Sequence, residues 1–561
     1  MGLEVRKWLL GVVGSALGIG LIVVWVRLVQ LQVFQAPQLR QAAQRQGYVR
    51  LHLLATRGEI TDRWGNIIAM SVEAPSYGVD PAAVRCVECL CRAARAVLGV
   101  DEQECQRLIT SSRGRFLWLR RGVWGRETKG LDTLEEPGLI RLRERVRVYI
   151  PEGLFLPALG SVGVDQQGLS GLELAYDSVL RMEPMTVLMR RDARGWLFPT
   201  VEHVLESPRR PPVLHTTLDG LLQRILTYEL ARGVQQVQAA GGVGIALEPA
   251  TGAIRAFVAV PSPPRGSAHA PLVSQVYEPG SVFKPIIAAI ALELGVVRLN
   301  DTLSGHNGQW IIGTHRVVDE HPLGRATLRE ALTFSSNVVF AELATRIPRM
   351  RLYQYLRDFG FGAPVESGLP GEAAGIMPEP EEIDSTTVAF WGFGYGIAVT
   401  PLQLACAYAA IANDGVFVRP RLVEAIGGEN GGYRLFPQPI RRVVSAATAR
   451  WLRHVLCSVV EEGTGRLARL PGVSIAGKTG TAQQTVNGRY SREAHTASFV
   501  AMVPAERPQL VLLVMVVRPQ GTISGGEVAA PIVRRVLQRM AAHPVLGTYL
   551  GIGTASEKRS S

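Results

Sequence analysis

Lysine and cysteine are both scarce in this 561-residue chain. Five lysines (Lys7, Lys129, Lys284, Lys478, Lys558) leave 55 arginines among the 60 basic residues. Arginine stays protonated at any working pH, so chemistry that needs an amine base must retain a lysine for it. The net charge of +12 and pI near 9.7 are spread along the chain rather than gathered in one stripe, which speaks against a nucleic-acid partner. A basic face toward anionic lipid or polymer fits better. No fixed-period repeat is apparent, and the length suits two or three domains with a sizeable core.

Of the six cysteines, Cys86, Cys89, Cys91 and Cys105 crowd one stretch. Their spacing resembles a metal-ligand set, but RCVECLCRAARAVLGV reads as a helix that places Cys86 and Cys89 on one face. Disulfides outside the cytoplasm and buried free thiols are the other readings. Cys406 and Cys457 lie in apolar helical patterns and read as core.

Near the N-terminus the run Trp8 to Val26 carries no charge, is about 28 Å long as a helix and is able to span a bilayer. The residues that follow, Val26-Arg27-Leu28-Val29, offer no small-residue cleavage site, so the run reads as a retained anchor rather than a removed signal. Arg6 and Lys7 favour a cytoplasmic tail, against Arg27 and Arg40 on the other side. Gly14 and Gly18 form a G-x-x-x-G that would admit a second helix.

A glutamine-rich connector follows, and then, from about Arg50 to Pro208, short strand-like runs in which no nucleophile is paired with a base. ESPRRPPVLHTTLD is a Pro-rich boundary, after which Asp219 caps a helix. GGVGIALEPATGAIRAFVAV reads as a hairpin turning at Pro249 to Gly252, and TASFVAMVPAERPQLVLLVMVVRP repeats the design. With VSIAGKTGTAQQ and the closing helix GGEVAAPIVRRVLQRMAA, these runs predict an antiparallel sheet of about five strands with helices on it and a helical insertion. PSPPRGSAHAP and the tail after Gly551 read as loop and disorder.

Three polar clusters carry chemistry. In YEPGSVFK a loop stops at Pro279-Gly280 and the run after Pro285 is helical, which puts Ser281 in the first turn with Lys284 on the same face. Burial and the positive helix end would disfavour the ammonium form of Lys284, leaving an amine base beside a hydroxyl. Ser335, Ser336 and Asn337 open a second helix, and taken alone they are an ordinary cap. Lys478-Thr479-Gly480-Thr481 lies in a β-rich run where Gly480 would let a ligand approach the backbone. S-x-x-K, S-x-N and K-T-G in this order form the set found in penicillin-binding proteins and class A β-lactamases.

On these motifs the chain resembles the class B penicillin-binding proteins. RGEITDRWGNIIA, FLWLRR and GSVGVDQQGLSGLELAYD are similar to that family's pedestal segments, and WGFGYGIAVTPLQLACAYAAIANDG to its helical insertion. AGKTGTAQ and the strands after it look more like the division-specific FtsI type than the elongation type. The chain departs from the family at Leu180-Arg181-Met182-Glu183-Pro184, where a Gly-containing turn is usual.

The resemblance implies an α+β fold: a cytoplasmic tail (1–7), an anchor (8–26), a connector (27–49), a mixed α/β pedestal (50–208), a transpeptidase domain (209–545) and a tail (546–561). It implies a single-pass protein of the bacterial cytoplasmic membrane with its catalytic domain outside. It also implies a D,D-transpeptidase that crosslinks peptidoglycan stem peptides during septal wall synthesis through a serine acyl-enzyme, is acylated by β-lactams and needs no cofactor or metal. Ser281 would be the nucleophile, Lys284 its base and Ser335 a proton relay. Asn337, Lys478, Thr479, Gly480 and Thr481 would bind substrate, with the Ser281 and Thr481 amides facing the oxyanion. Implied partners are lipid-linked or nascent glycan, an FtsW-type polytopic glycosyltransferase and divisome proteins. An elongation-type enzyme and a catalytically silent scaffold are the alternatives. A β-lactamase would have no use for the anchor and pedestal, a β-lactam sensor would carry more spans, and a bifunctional enzyme would need a further domain.

Overall fold

The computed structural model describes residues 2–39, 48–53, 57–125, 127–181, 185–191, 197–199, 211–261, 271–428, 431–486 and 489–552. The connector from 40 to 47, residues 206–210 of the Pro-rich boundary, residues 262–270 and the tail from 553 lie outside the described residues. By internal contacts the chain forms two units, Met1–Ala55 with Glu183–Arg210, and Thr56–Met182 with Pro211–Ser561. The first holds helix α1 (Gly2–Val29) and a three-stranded sheet of Tyr48–Leu53, Met185–Arg191 and Leu197–Pro199. Trp8–Phe34 is long and apolar enough to cross a membrane, with mean hydropathy 2.4 and none of its apolar window buried.

In the second unit, strand Ile67–Val79 pairs along its length with Leu139–Tyr149 and carries helices α2 (Val87–Leu98) and α3 (Glu102–Ser111) beside it. This sheet is continuous with the catalytic half of the unit, because Ile60–Thr61 pairs in parallel with Val213–Thr216, which in turn pairs with Val423–Gly427. Below it the buried Glu173 carboxylate accepts hydrogen bonds from Arg57 Nε (2.6 Å) and Arg147 Nε (2.7 Å), and Arg57 also reaches Asp177. Arg57, at 1% exposure, ties the start of this unit to the Gly171–Ala175 and Asp177–Leu180 helices. The unusual Leu180–Arg181 segment pairs back on Arg57 and Gly58.

Helix α2 starts later than the sequence pattern suggested. Cys86 is its cap rather than a member, so Cys86 and Cys89 meet across the first turn as a disulfide, and Cys91 pairs with Cys105 on α3. All four thiols of the metal-like cluster are thereby used. Cys406 is buried as expected, and Cys457 is half-buried.

The catalytic half holds the expected five strands. After α4 (Gly220–Gln236), capped by Asp219, come β1 (Gly241–Leu247) and β2 (Ile254–Val260); β3 (Ala476–Val486), β4 (Arg489–Val503) and β5 (Leu510–Val517) follow far downstream. All neighbours are antiparallel in the order β2-β1-β5-β4-β3, which leaves β3 at an edge. The central strands read as unbroken apolar runs because both faces are covered. Val243, Ile245, Leu513 and Met515 face one core, and Ala246, Leu512, Val514 and Val516 the other. On that second face α4 and α9 (Gly525–Ala541) pack closely; a Cβ on Gly244 would sit 2.9 Å from Leu226 Cδ2. The first core surrounds α5 (Lys284–Glu293), whose residues from Lys284 to Ala291 are all buried. It is flanked by α6 (Asn337–Arg346), α7 (Pro401–Ala412) and α8 (Ala446–Glu461). This helical layer brings the Lys284 amine to the same hydroxyl, Ser335 Oγ, that the Lys478 amine of β3 reaches.

Candidate active site

Ser281 lies in a 3₁₀ turn, Gly280–Phe283, that runs directly into α5 at Lys284, so it stands just ahead of the helix rather than within its first turn. Pro285 costs nothing there, since its missing N–H would have no partner in the first turn. The turn is held on three sides. Gly280 N–H donates to Gly394 O (3.0 Å), Tyr408 of α7 donates to Val282 O (2.7 Å), and Gly280, at φ +59°, lies against Thr481 and Ala482 of β3. A Cβ on Gly480 would meet Ser498 Oγ at 2.5 Å and Val282 Cγ1 at 2.9 Å. The serine turn thus packs directly on Gly480.

Lys284 is fully buried, with four oxygens around its amine: Ser281 Oγ (2.9 Å), Ser335 O (2.6 Å), Asn337 Oδ1 (2.7 Å) and Ser335 Oγ (3.1 Å). Asn337 Nδ2 donates to Val318 O (3.0 Å), which fixes Oδ1 as the acceptor facing the lysine. Two of the four neighbours are carbonyl oxygens that can only accept. A neutral amine that donates to both keeps its lone pair for the hydroxyls, of which Ser281 Oγ at 2.9 Å is nearer than Ser335 Oγ at 3.1 Å. Burial, and next the charge of Lys478, hold Lys284 well below the ordinary lysine range; Asp319 and Glu320 pull the other way.

Ser335 supplies two of these contacts from a strained backbone. Its φ of +60° is left-handed, at an expected cost of about 1–3 kcal/mol, and with it the carbonyl meets the lysine amine. Ser336 caps α6 by accepting from Val339 N (3.1 Å), as its position in S-S-N suggested. Lys478 Nζ donates to Ser335 Oγ (2.8 Å), so the two lysines share one hydroxyl. Lys478 is fully buried, and burial brings its pKa down to about 7. Thr479 Oγ1 is 2.7 Å from Thr464 Oγ1, and Thr481 Oγ1 accepts from Gly525 N (3.0 Å) at the start of α9.

Ser281, Lys284, Ser335, Asn337 and Lys478 thus form one connected cluster, with Thr479, Gly480 and Thr481 continuing along β3. Sequence reasoning missed Asp319, whose carboxylate accepts from Ser336 Oγ and from the Asn337 and Val338 amides, anchoring the S-x-N turn. It also missed Glu278, which accepts from Gly396 N (2.7 Å) and Tyr490 OH (3.0 Å) and joins the serine turn to the β3–β4 hairpin. Among the described residues no group of three or more His, Cys, Asp or Glu side chains could hold a metal. A hydroxyl beside a neutral amine, with a second hydroxyl bridging to another amine, can perform nucleophilic acyl transfer with proton relay.

The comparisons agree with this chemistry. Residues 242–538 match the penicillin binding protein transpeptidase domain. The chain is 32% identical over 542 residues to stage V sporulation protein D of Bacillus subtilis, covering 92% of this chain and 83% of that protein. It is 31% identical over 524 residues to the peptidoglycan D,D-transpeptidase FtsI of Escherichia coli, covering 90% and 87%. Penicillin binding protein 3 of Mycobacterium tuberculosis, in a crystal structure with aztreonam, superposes with a TM-score of 0.66 at 26% identity over 87% of this chain and 96% of that one. From its serine turn, its paired lysines and these likenesses, the chain belongs to the class B penicillin-binding proteins, the serine transpeptidases of this family.

Proposed function

We propose that this protein is a membrane-anchored peptidoglycan D,D-transpeptidase in which Ser281 is the nucleophile and Lys284 its base, and that it works in septal wall synthesis. The observation that carries the mechanism is the position of the Lys284 amine, 2.9 Å from Ser281 Oγ and within 2.7 Å of two carbonyl oxygens, Ser335 O and Asn337 Oδ1. Ser281 attacks the carbonyl of the penultimate D-alanine of a stem peptide, and its proton passes to Lys284. Such a base typically contributes about 10² to 10⁴ in rate. The oxyanion lies between the amides of Ser281 and Thr481, where one donor is typically worth about 3–4 kcal/mol.

Ser335, bonded to both lysines, relays the proton to the departing D-alanine nitrogen, and the acyl-enzyme forms. An amino group of a neighbouring stem peptide then attacks the ester and makes the crosslink. Asn337 donates to the substrate amide. Lys478 and Thr479 receive the terminal carboxylate, whose charge favours the ammonium form of a lysine that burial alone would leave half-protonated near neutrality. β-Lactams mimic the donor and acylate Ser281. The apolar N-terminal helix anchors the chain with the catalytic domain outside the cytoplasm, where an FtsW-type polymerase and divisome proteins supply glycan, and residues 50–208 serve as the pedestal.

Labelled penicillin should give one covalent adduct, mapped by peptide mass to Ser281, and Lys284→Arg should abolish it although charge is kept. An adduct elsewhere, or undiminished labelling of the variant, would overturn the assignment. A sporulation role is the second reading, favoured by the likeness to stage V sporulation protein D. A fluorescent fusion separates the two: midcell bands in growing cells support the septal role, and signal confined to developing spores supports the other.

A further inference from the structure

The clustered cysteines take no part in the reaction above, and they form two bridges of opposite character. Cys91–Cys105 joins α2 to α3 inside the core, with both residues at 1% exposure or less. Cys86–Cys89 lies at the entry to α2, where Cys89 is exposed and Cys86 half-buried. It closes a sequence separation of 3 against 14 for the inner bridge, so it constrains the chain far less. In a C-x-x-C at the start of a helix, the first sulfur is the better leaving group, because its thiolate meets the positive helix end. Here Cys86 Sγ already accepts a hydrogen bond from Cys89 N at 3.1 Å.

The helix does not depend on the outer bridge. The Glu136 carboxylate accepts from the amides of Arg85 (2.7 Å) and Cys86 (3.2 Å), which pins the entry to α2. Leu90, Ala94 and Leu98 hold its inner face in the same core as Cys91 and Cys105. Glu136 opposes a thiolate at Cys86 through its charge, but that charge is engaged by the amides of Arg85, Cys86 and Gly138.

We propose that Cys86–Cys89 is a thiol–disulfide exchange site for an extracytoplasmic dithiol protein of the thioredoxin-fold class. The partner's thiolate attacks the exposed Cys89 sulfur. A mixed disulfide forms and Cys86 leaves as the thiolate, taking a proton from solvent. The partner's second thiolate then attacks its own sulfur in the mixed disulfide and releases Cys89. Two electrons pass from the dithiol, which ends as a disulfide, to the Cys86–Cys89 pair, which ends as two thiols.

The test uses the detergent-solubilised full chain. Free thiols are first blocked with one maleimide; the protein is then treated with dithiothreitol without denaturant and labelled with a heavier maleimide for peptide mapping. The expected result is two heavy labels, on Cys86 and Cys89, arising at least about tenfold faster than on Cys91 and Cys105, which label fully only in urea. A thioredoxin lacking its resolving cysteine should be trapped on Cys89. Light label on Cys86 and Cys89 before reduction, equal rates for the two bridges, or a trapped adduct on Cys86 would each overturn the proposal.

Discussion

Replacing Lys478 by methionine should stabilise the folded chain most at neutral pH and progressively less as the solution becomes alkaline. In the fold this amine releases its proton near 7, whereas in the unfolded chain it holds it to about 10.5. Each tenfold displacement corresponds to about 1.4 kcal/mol, so carrying the charge into the protein costs about 5 kcal/mol. Between the two values the unfolded state binds more protons, and stability therefore rises with pH across that window. The penalty is complete below the folded pKa and gone above the unfolded one. Integrating over the window, wild type should gain about 2 kcal/mol between pH 7 and pH 9 relative to Lys478→Met.

Lys284 has the same sign of displacement in both proteins. Losing the Lys478 charge relaxes it in the variant, which widens the contrast. Urea unfolding of the solubilised chain, followed by tryptophan fluorescence at both pH values, measures the difference. Parallel pH dependences for the two proteins would refute the idea that burial sets the charge of Lys478.

Two further outcomes follow from packing. Gly480→Ala should push β3 away from the serine turn and cut penicillin acylation at least tenfold with a small change in melting temperature, because its Cβ would lie within 3 Å of Ser498 and Val282; normal acylation would show that the turn can give way. Arg57→Ala removes one of two guanidinium groups from the buried Glu173 and should destabilise the unit by roughly 3–5 kcal/mol, read as a fall in the urea midpoint.

Much of the site was legible in the sequence because lysine is so rare. Two of five lysines fall in Gly- or Ser-flanked polar motifs, and the helix and strand patterns around them were strong enough to fix which elements carry them. The sheet was legible for a similar reason: apolar runs bounded by Pro and Gly turns leave little choice when both faces are buried. The supporting shell was not. Asp319 reaches Asn337 across 18 residues and Tyr490 reaches Glu278 across 212, and no local pattern encodes such meetings. The left-handed Ser335 looked like an ordinary residue before a helix, since its strain is imposed by the lysine and strand around it rather than by its neighbours. The disulfide pairing turned on whether Cys86 lies inside α2 or caps it, a one-residue question that periodicity does not resolve.

The central claim is that Lys284 is an uncharged base at neutral pH. Its direct test is the second-order rate constant for acylation by labelled penicillin, measured in wild type from pH 5 to pH 10. The account predicts that the rise on the acid side ends well below the ordinary lysine range, with the rate level or declining above pH 8 as Lys478 loses its proton. A rate that keeps climbing tenfold per pH unit up to pH 10 would mean the amine beside Ser281 is protonated at neutrality, which contradicts the claim.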